Sequence, residues 1–212
     1  MKARGSRLTR LVQGLLGLGV LLSIALLVSD FIERSFLQQV VGGEVSSRVM
    51  DELAAEHELR QGLLALISLA LGCLTGITAL VWIHRAHVSA QTGGGAEIST
   101  SPGWAVGWFF VPIANLWKPY VAMWELWRHH HPIGDGGAVE GGALLRCWWG
   151  FWLLSSALAY LTLRSASLGA IGPSPLEQNF VAIAADATAI PLHLVFFAMV
   201  RRLDRARRLP AV

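Results

Sequence analysis

His129, His130 and His131 stand in a row, and His84 and His87 lie three residues apart. Imidazole nitrogens are common ligands for zinc and copper, so these five could meet on one ion. Neighbouring residues on a helix point in different directions, however, and three in a row rarely reach one centre. No metal is expected. Asp186 and His193 form a second group, seven residues apart on one helical face of an apolar run. Ionisable groups within a membrane span are costly and mark proton or cation paths by default. A haem would need a second histidine at the depth of His193, and His84 lies too near the end of its run to serve. No cofactor is expected either. Asn115 and Lys118 fall between Pro112 and Pro119. There they could satisfy backbone groups freed by the prolines or meet a ligand. Glu125, Arg128 and Lys118 could hold a phosphate headgroup, and Glu125 is spaced to pair with His129. Cys73 and Cys147 share no metal or redox spacing and read as small buried apolar residues. The sequence contains no GxSxG, HExxH, P-loop or GxGxxG, so no catalytic residue is assigned.

These groups sit in a chain of 212 residues that is 54% apolar and only 15% charged, with a mean hydropathy of +0.52. Soluble domains carry about 25% charged residues. So few charges exclude a soluble nucleic-acid binder, a disordered tail and a disulfide-stapled secreted domain. An all-α integral membrane bundle fits. Crossing ~30 Å of hydrocarbon at ~1.5 Å per residue takes ~20 residues. Four runs qualify, at 11–29, 63–83, 147–163 and 180–200. Asp30 and Glu33 end the first, and His84, Arg85 and His87 end the second. Arg164 follows the third, and Arg201 and Arg202 end the fourth. The first run follows a basic start but is 19 residues long. That exceeds a usual signal-peptide core, so it reads as an uncleaved span.

A fifth stretch, 104–127, is aromatic but broken by Pro112 and Pro119. Charge decides whether it crosses. Lys2, Arg4, Arg7 and Arg10 make the start +4, and five arginines with Asp204 make 201–208 +4. Residues 30–60 hold seven acids and three arginines, a balance of −4. With four crossings, both basic ends and Arg128 and Arg146 lie on the cytoplasmic face of a cell membrane, and the acidic 30–60 loop lies outside. A fifth crossing would put one basic end outside. The segment 104–131 therefore reads as a re-entrant or interfacial hairpin. Residues 104–111 are too short to cross, Gly103 and Gly107 allow close packing, and Pro119 starts an amphipathic helix. That helix sets Tyr120, Met123, Trp124 and Trp127 on one face. All nine tryptophans fall on the cytoplasmic side of this arrangement, where indoles favour the headgroup boundary. Trp104, Trp108, Pro112, Asn115, Lys118, Pro119, Trp124, Glu125, Trp127 and Arg128 are the surface expected to meet a ligand or partner. The partners expected are anionic lipid headgroups, and a membrane protein or a second copy.

Within 44–60, Val45, Val49 and Leu53 suggest a short amphipathic helix over the outer face. Residues 89–103 and 132–142 read as flexible connections. Gly72 and Gly76, and the alanines of 182–189, offer small surfaces for close packing within the bundle.

The run SPGWAVGWFFVPIANLWKPY at 101–120 resembles the signature of the domain of unknown function 4328 family, with ELWR at 125–128, VWIHRA at 81–86 and VRRL at 200–203. Residues 87–91 lack the Asn that members more often carry there. The resemblance covers roughly 11–208 and implies a bacterial multi-pass membrane protein. It implies no reaction. The function expected is a non-enzymatic scaffold, sensor or accessory module working through its Trp-rich segment. A small transporter or channel using Asp186, His193, Asn115 and Lys118 is the alternative.

Overall fold

A computed structural model describes residues 2–43, 47–92, 98–131, 141–168 and 171–207. All regular structure among them is helical. The chain runs α1 (Lys2–Val41), α2 (Ser47–Thr92), α3 (Pro102–Gly107), two 3₁₀ turns (Trp108–Phe110 and Ala114–Leu116), α4 (Lys118–His130), α5 (Gly142–Leu168) and α6 (Pro175–Ala206).

Local chemistry explains several ends. Ser174 caps α6: its N–H and hydroxyl both donate to Glu177 Oε2 at 2.8 Å, with Pro175 as the first helical residue. This is a capping box. Ser101 accepts the Trp104 N–H at 3.4 Å to start α3, again ahead of a proline. Pro119 stands in the first turn of α4, where its missing N–H costs nothing.

Three helices are long and apolar enough to cross a membrane: Arg7–Val41, Leu59–Thr92 and Pro175–Ala206. They carry three of the four expected runs. The fourth, 147–163, lies within α5, where Trp148, Trp149, Trp152, Ser155 and Ser156 dilute the apolar character.

Two expectations about the acidic stretch change. Asp30 and Glu33 close the apolar run, but the helix itself continues to Val41. Residues 47–60 are not a separate helix but the first turns of α2. So 30–41 and 47–60 are helical rather than loop. Of the two expected flexible connections, α2 claims 89–92, while 93–97 and 132–140 lie outside the described residues.

The chain divides into two compact units. Unit one comprises Met1–Gly17, Leu74–Gly150 and Leu194–Val212; unit two comprises Leu18–Cys73 and Phe151–His193. Unit one has an aromatic core. Trp82, Met123, Leu126, Trp127, Leu145, Met199 and Leu203 are at most 2% exposed. Phe196 meets Trp82 edge-on with centroids 6.3 Å apart and stacks on Trp148 at 5.7 Å. The buried Trp82 indole N–H donates to Thr9 Oγ1 at 3.3 Å, and the Thr9 hydroxyl donates to Asp204 Oδ1 at 3.1 Å. This chain of bonds ties α1, α2 and α6.

Unit two is built differently. Its buried side chains, among the described residues, are Ser23, Ser29, Asp30, Ser165 and Asn179. Gly19 of α1 lies against the His193 ring of α6, so close that a Cβ there would fall 2.7 Å from Nε2. Only glycine admits that approach. Near the other end of the unit, the Asn179 amide donates to the Asp30 backbone carbonyl at 3.0 Å. Pro191 lies inside α6 between Asp186 and His193.

The small residues expected to pack closely do so only in part. Nothing approaches Gly72, Gly76 or Gly103 within 4 Å of a built Cβ, and Gly107 meets only Trp104 of its own segment. Cys73 and Cys147 are exposed rather than buried. Both lie on apolar faces, where a thiol is as compatible with lipid as with a core.

Candidate functional site

The Trp-rich segment lies wholly in unit one. Its first half is a short helix, a 3₁₀ turn and the break at Pro112. Trp104 stacks on Trp108 with centroids 4.4 Å apart. Lys118 then places Nζ 5.3 Å from the Trp108 ring centroid. A cation over an indole face is attracted by the ring quadrupole. Lys118 thus closes the hairpin back on its first helix. Asn115 donates its backbone N–H to Val111 across the proline break at 2.8 Å, while its side-chain Oδ1 is buried without a partner.

The outer surface of this half is apolar. Trp104, Phe110, Ile113, Leu116 and Trp117 are 53%, 71%, 72%, 56% and 47% exposed. The second half, α4, is anchored. Pro119, Ala122, Met123, Leu126 and Trp127 are buried, and Tyr120 and Trp124 are half-buried. Tyr120 lies 6.4 Å from Trp124 and 6.2 Å from Trp149 between centroids. The aromatic face read from the spacing is therefore the buried face, and Arg128 points away from it, exposed.

Glu125 does not pair with His129. Its carboxylate accepts the Ser99 hydroxyl and, at 2.9 Å, the Thr100 N–H. Partial burial would raise the carboxyl pKa, but the Ser99 and Thr100 donors outweigh it and hold it below the ordinary value. Glu125 thus fastens the segment leading into α3 onto α4.

The histidines do not converge. His130 and His131 each turn Nδ1 to a carbonyl of their own helix, Leu126 at 2.9 Å and Trp127 at 3.1 Å. His131 stacks on Trp127, centroids 4.3 Å apart. Burial pushes the His130 pKa down to about 4, and positive Arg207 adds to the effect. His84 is exposed and His87 fully buried, so the two do not share a face. No group of three metal-binding side chains occurs among the described residues.

His87, whose spacing suggests a metal ligand or the end of an apolar run, instead bridges two helices. Its Nδ1 lies 3.0 Å from the Ile83 carbonyl and its Nε2 lies 3.2 Å from the Ala122 carbonyl. It therefore joins α2 to the middle of α4. Carbonyls only accept, and a neutral imidazole has one N–H, so the tautomer decides which of the two carbonyls receives the ring proton. The signal was present in the pattern: Ile83, Ala86, His87 and Ala90 share one helical face, and all four are buried.

His193 bonds within its own helix rather than to Asp186. His193 turns Nδ1 to the Ala189 carbonyl at 2.7 Å and packs on Gly19. Asp186 is half-buried on α6. Gly19, Ser23 and Asp30 fall on one face of α1 at helical spacing, a stripe that could have pointed to Asp30. A shallow cleft of about 400 Å³ also opens in unit one, lined by Gln13, Phe197, Arg201, Asp204 and Arg205.

These features define an all-helical protein with membrane-length helices and a Trp-rich hairpin set on a buried aromatic core. The chain belongs to the family described as Domain of unknown function (DUF4328), whose profile matches residues 46–205. Neither a curated protein nor a solved structure matches it.

Proposed function

We propose that this protein is a non-enzymatic membrane module, a scaffold, sensor or accessory subunit, that crosses a bacterial inner membrane four times. Both basic termini lie on the cytoplasmic side. α5 provides the additional crossing, its 27 residues spanning ~40 Å. Residues 104–131 lie in the cytoplasmic headgroup boundary and meet lipid or a partner protein there.

The observation that carries this reading is the two-sidedness of the segment. Its inner face, Met123, Leu126 and Trp127, is 0% exposed, while Phe110 and Ile113 stand out by more than two thirds. Contiguous exposed apolar surface next to indole and lysine suits a headgroup boundary. The cleft lined by Arg201, Arg205 and Phe197, with Gln13 and Asp204, offers two guanidinium groups beside an apolar ring to an anionic headgroup.

The test is an environment-sensitive fluorophore on Ile113→Cys, with Cys73 and Cys147 replaced by Ser, in vesicles containing spin-labelled lipid. Blue-shifted emission quenched by shallow labels is expected. Emission characteristic of bulk water would overturn the interfacial placement. Cysteines at 95 and 135 should label from the same side, and labelling from opposite sides would sink the four-crossing topology. Crosslinking in native membranes should capture a partner; recovery of this chain alone would count against an accessory role.

A further inference from the structure

Unit one carries a guanidinium that its own packing leaves unfinished. Arg207 follows the last residue of α6, and its backbone N–H donates to the Leu203 carbonyl at 3.2 Å. Its Cζ lies 5.7 Å from the centroid of the buried Trp82 ring. A guanidinium over an indole face is attracted by the ring quadrupole, which restrains the cation there. Two of its nitrogens, Nε and Nη2, are buried and have no hydrogen-bond partner. The side chain as a whole is half-buried rather than sealed, so an anion can reach it.

Nε and Nη2 are a particular pair of donors. Their N–H bonds run side by side along one edge of the guanidinium plane, and that edge grips two oxygens of one carboxylate or phosphate. A buried donor left alone is costly, a charged one most of all. The acid placed to act on Arg207 is Asp204, and its Oδ1 accepts the Thr9 hydroxyl at 3.1 Å. That bond also draws the start of α1 against the end of α6. Exposed Arg7 and Arg10 therefore join exposed Arg201, Arg202 and Arg205 in one unit. Such a surplus of positive charge favours a phosphate, which carries up to two negative charges, over a carboxylate with one.

We infer that Arg207, held against Trp82, is a binding site for a phosphate group, gripped through two parallel N–H···O bonds. The same chemistry is offered by a lipid headgroup and by phosphate in solution. The site is set by α1, α2 and α6 within unit one, so the inference stands whether or not residues 104–131 lie in the headgroup layer.

Thermal unfolding of the full chain tests this. In a neutral detergent, inorganic phosphate should raise the melting temperature of wild type above that in chloride at the same ionic strength, because a ligand of the folded state alone stabilises it. In nanodiscs, replacing part of the phosphatidylcholine by phosphatidic acid should do the same where the headgroup is the source. A response to one of the two supports the site and identifies its source. A response to neither overturns the inference, and that measurement needs no variant. Arg207→Lys keeps the positive charge and loses the two-pronged edge, so half-saturation should move about tenfold higher in the arm that responds. Salting-out by phosphate would instead stabilise both chains alike and without saturating. A Lys variant that responds as wild type does therefore overturns the inference, since salting-out or the other arginines then account for the effect. Acetate as stabilising as phosphate overturns it too, by assigning the edge to a carboxylate.

Discussion

The two units of this chain solve opposite packing problems. Among the described residues, every buried apolar side chain, from Val12 to Leu203, belongs to unit one. Every buried side chain of unit two among the described residues is polar, while Leu66, Leu163 and Phe180 are 65%, 73% and 63% exposed. In water the hydrophobic effect drives apolar groups inward. In lipid that drive vanishes between helices, and the inside is left to small residues and hydrogen bonds. Unit one is packed like a soluble core, whereas unit two is packed like a membrane bundle. The Trp-rich segment is thus held by the part that follows the rules of water.

Core truncation in unit one should have the largest effect. Trp127 is 0% exposed and stacked on His131. Trp127→Ala should cost about 3–5 kcal/mol in thermal unfolding in nanodiscs. A loss below about 1 kcal/mol would mean that unit one has no tight core.

Gly19→Ala probes unit two at its closest contact. The new methyl would meet the His193 ring, which is held by its bond to Ala189. A loss of about 1–3 kcal/mol is expected. His193→Ala should restore most of it in a double-mutant cycle, and strictly additive losses would show that the two do not touch.

Much of this was legible beforehand. The apolar runs, the break at Pro112 and the start of α4 at Pro119 follow from hydropathy and from what proline does to a helix. The extent of α1 did not. Asp30 reads as a stop because a lone carboxylate has no place in lipid, and the Asn179 amide that bonds its carbonyl is remote in sequence. The partner of Glu125 was missed for a related reason: His129 satisfies the helical spacing, but Ser99 and Thr100 reach it from outside the helix. Cys73 and Cys147 were misplaced because an apolar neighbourhood in sequence does not tell a lipid-facing position from a core one.

Smaller effects sharpen the contrast. The His130 pKa is about 4 in the folded chain against 6.5 unfolded. Its contribution to stability is therefore complete above 6.5 and is lost as the pH falls towards 4. Water screens this half-buried ring, which holds the effect to about 1 kcal/mol. The melting temperature should fall across that window, and His130→Gln should flatten the fall; an unaltered curve would assign it to other groups. Glu125→Gln should cost about 1 kcal/mol and speed hydrogen exchange at the Thr100 amide. Exchange at the wild-type rate would show that the carboxylate does not hold that segment. Smallest of all, Leu163→Ala should change stability by no more than about 0.5 kcal/mol, because the side chain already faces outward. A loss matching that of Trp127→Ala would end the distinction between the units.

The places where the long helices pass from one unit to the other have a mechanical meaning. α1 leaves unit one between Gly17 and Gly19, α2 leaves unit two between Gly72 and Gly76, α5 passes at Gly150, and α6 passes just after Pro191. Glycine within a helix gives up ~1 kcal/mol relative to alanine, and proline removes the N–H that would bond the Ala187 carbonyl. Each of the four helices thus carries a residue that weakens its backbone within a few positions of where its surroundings change.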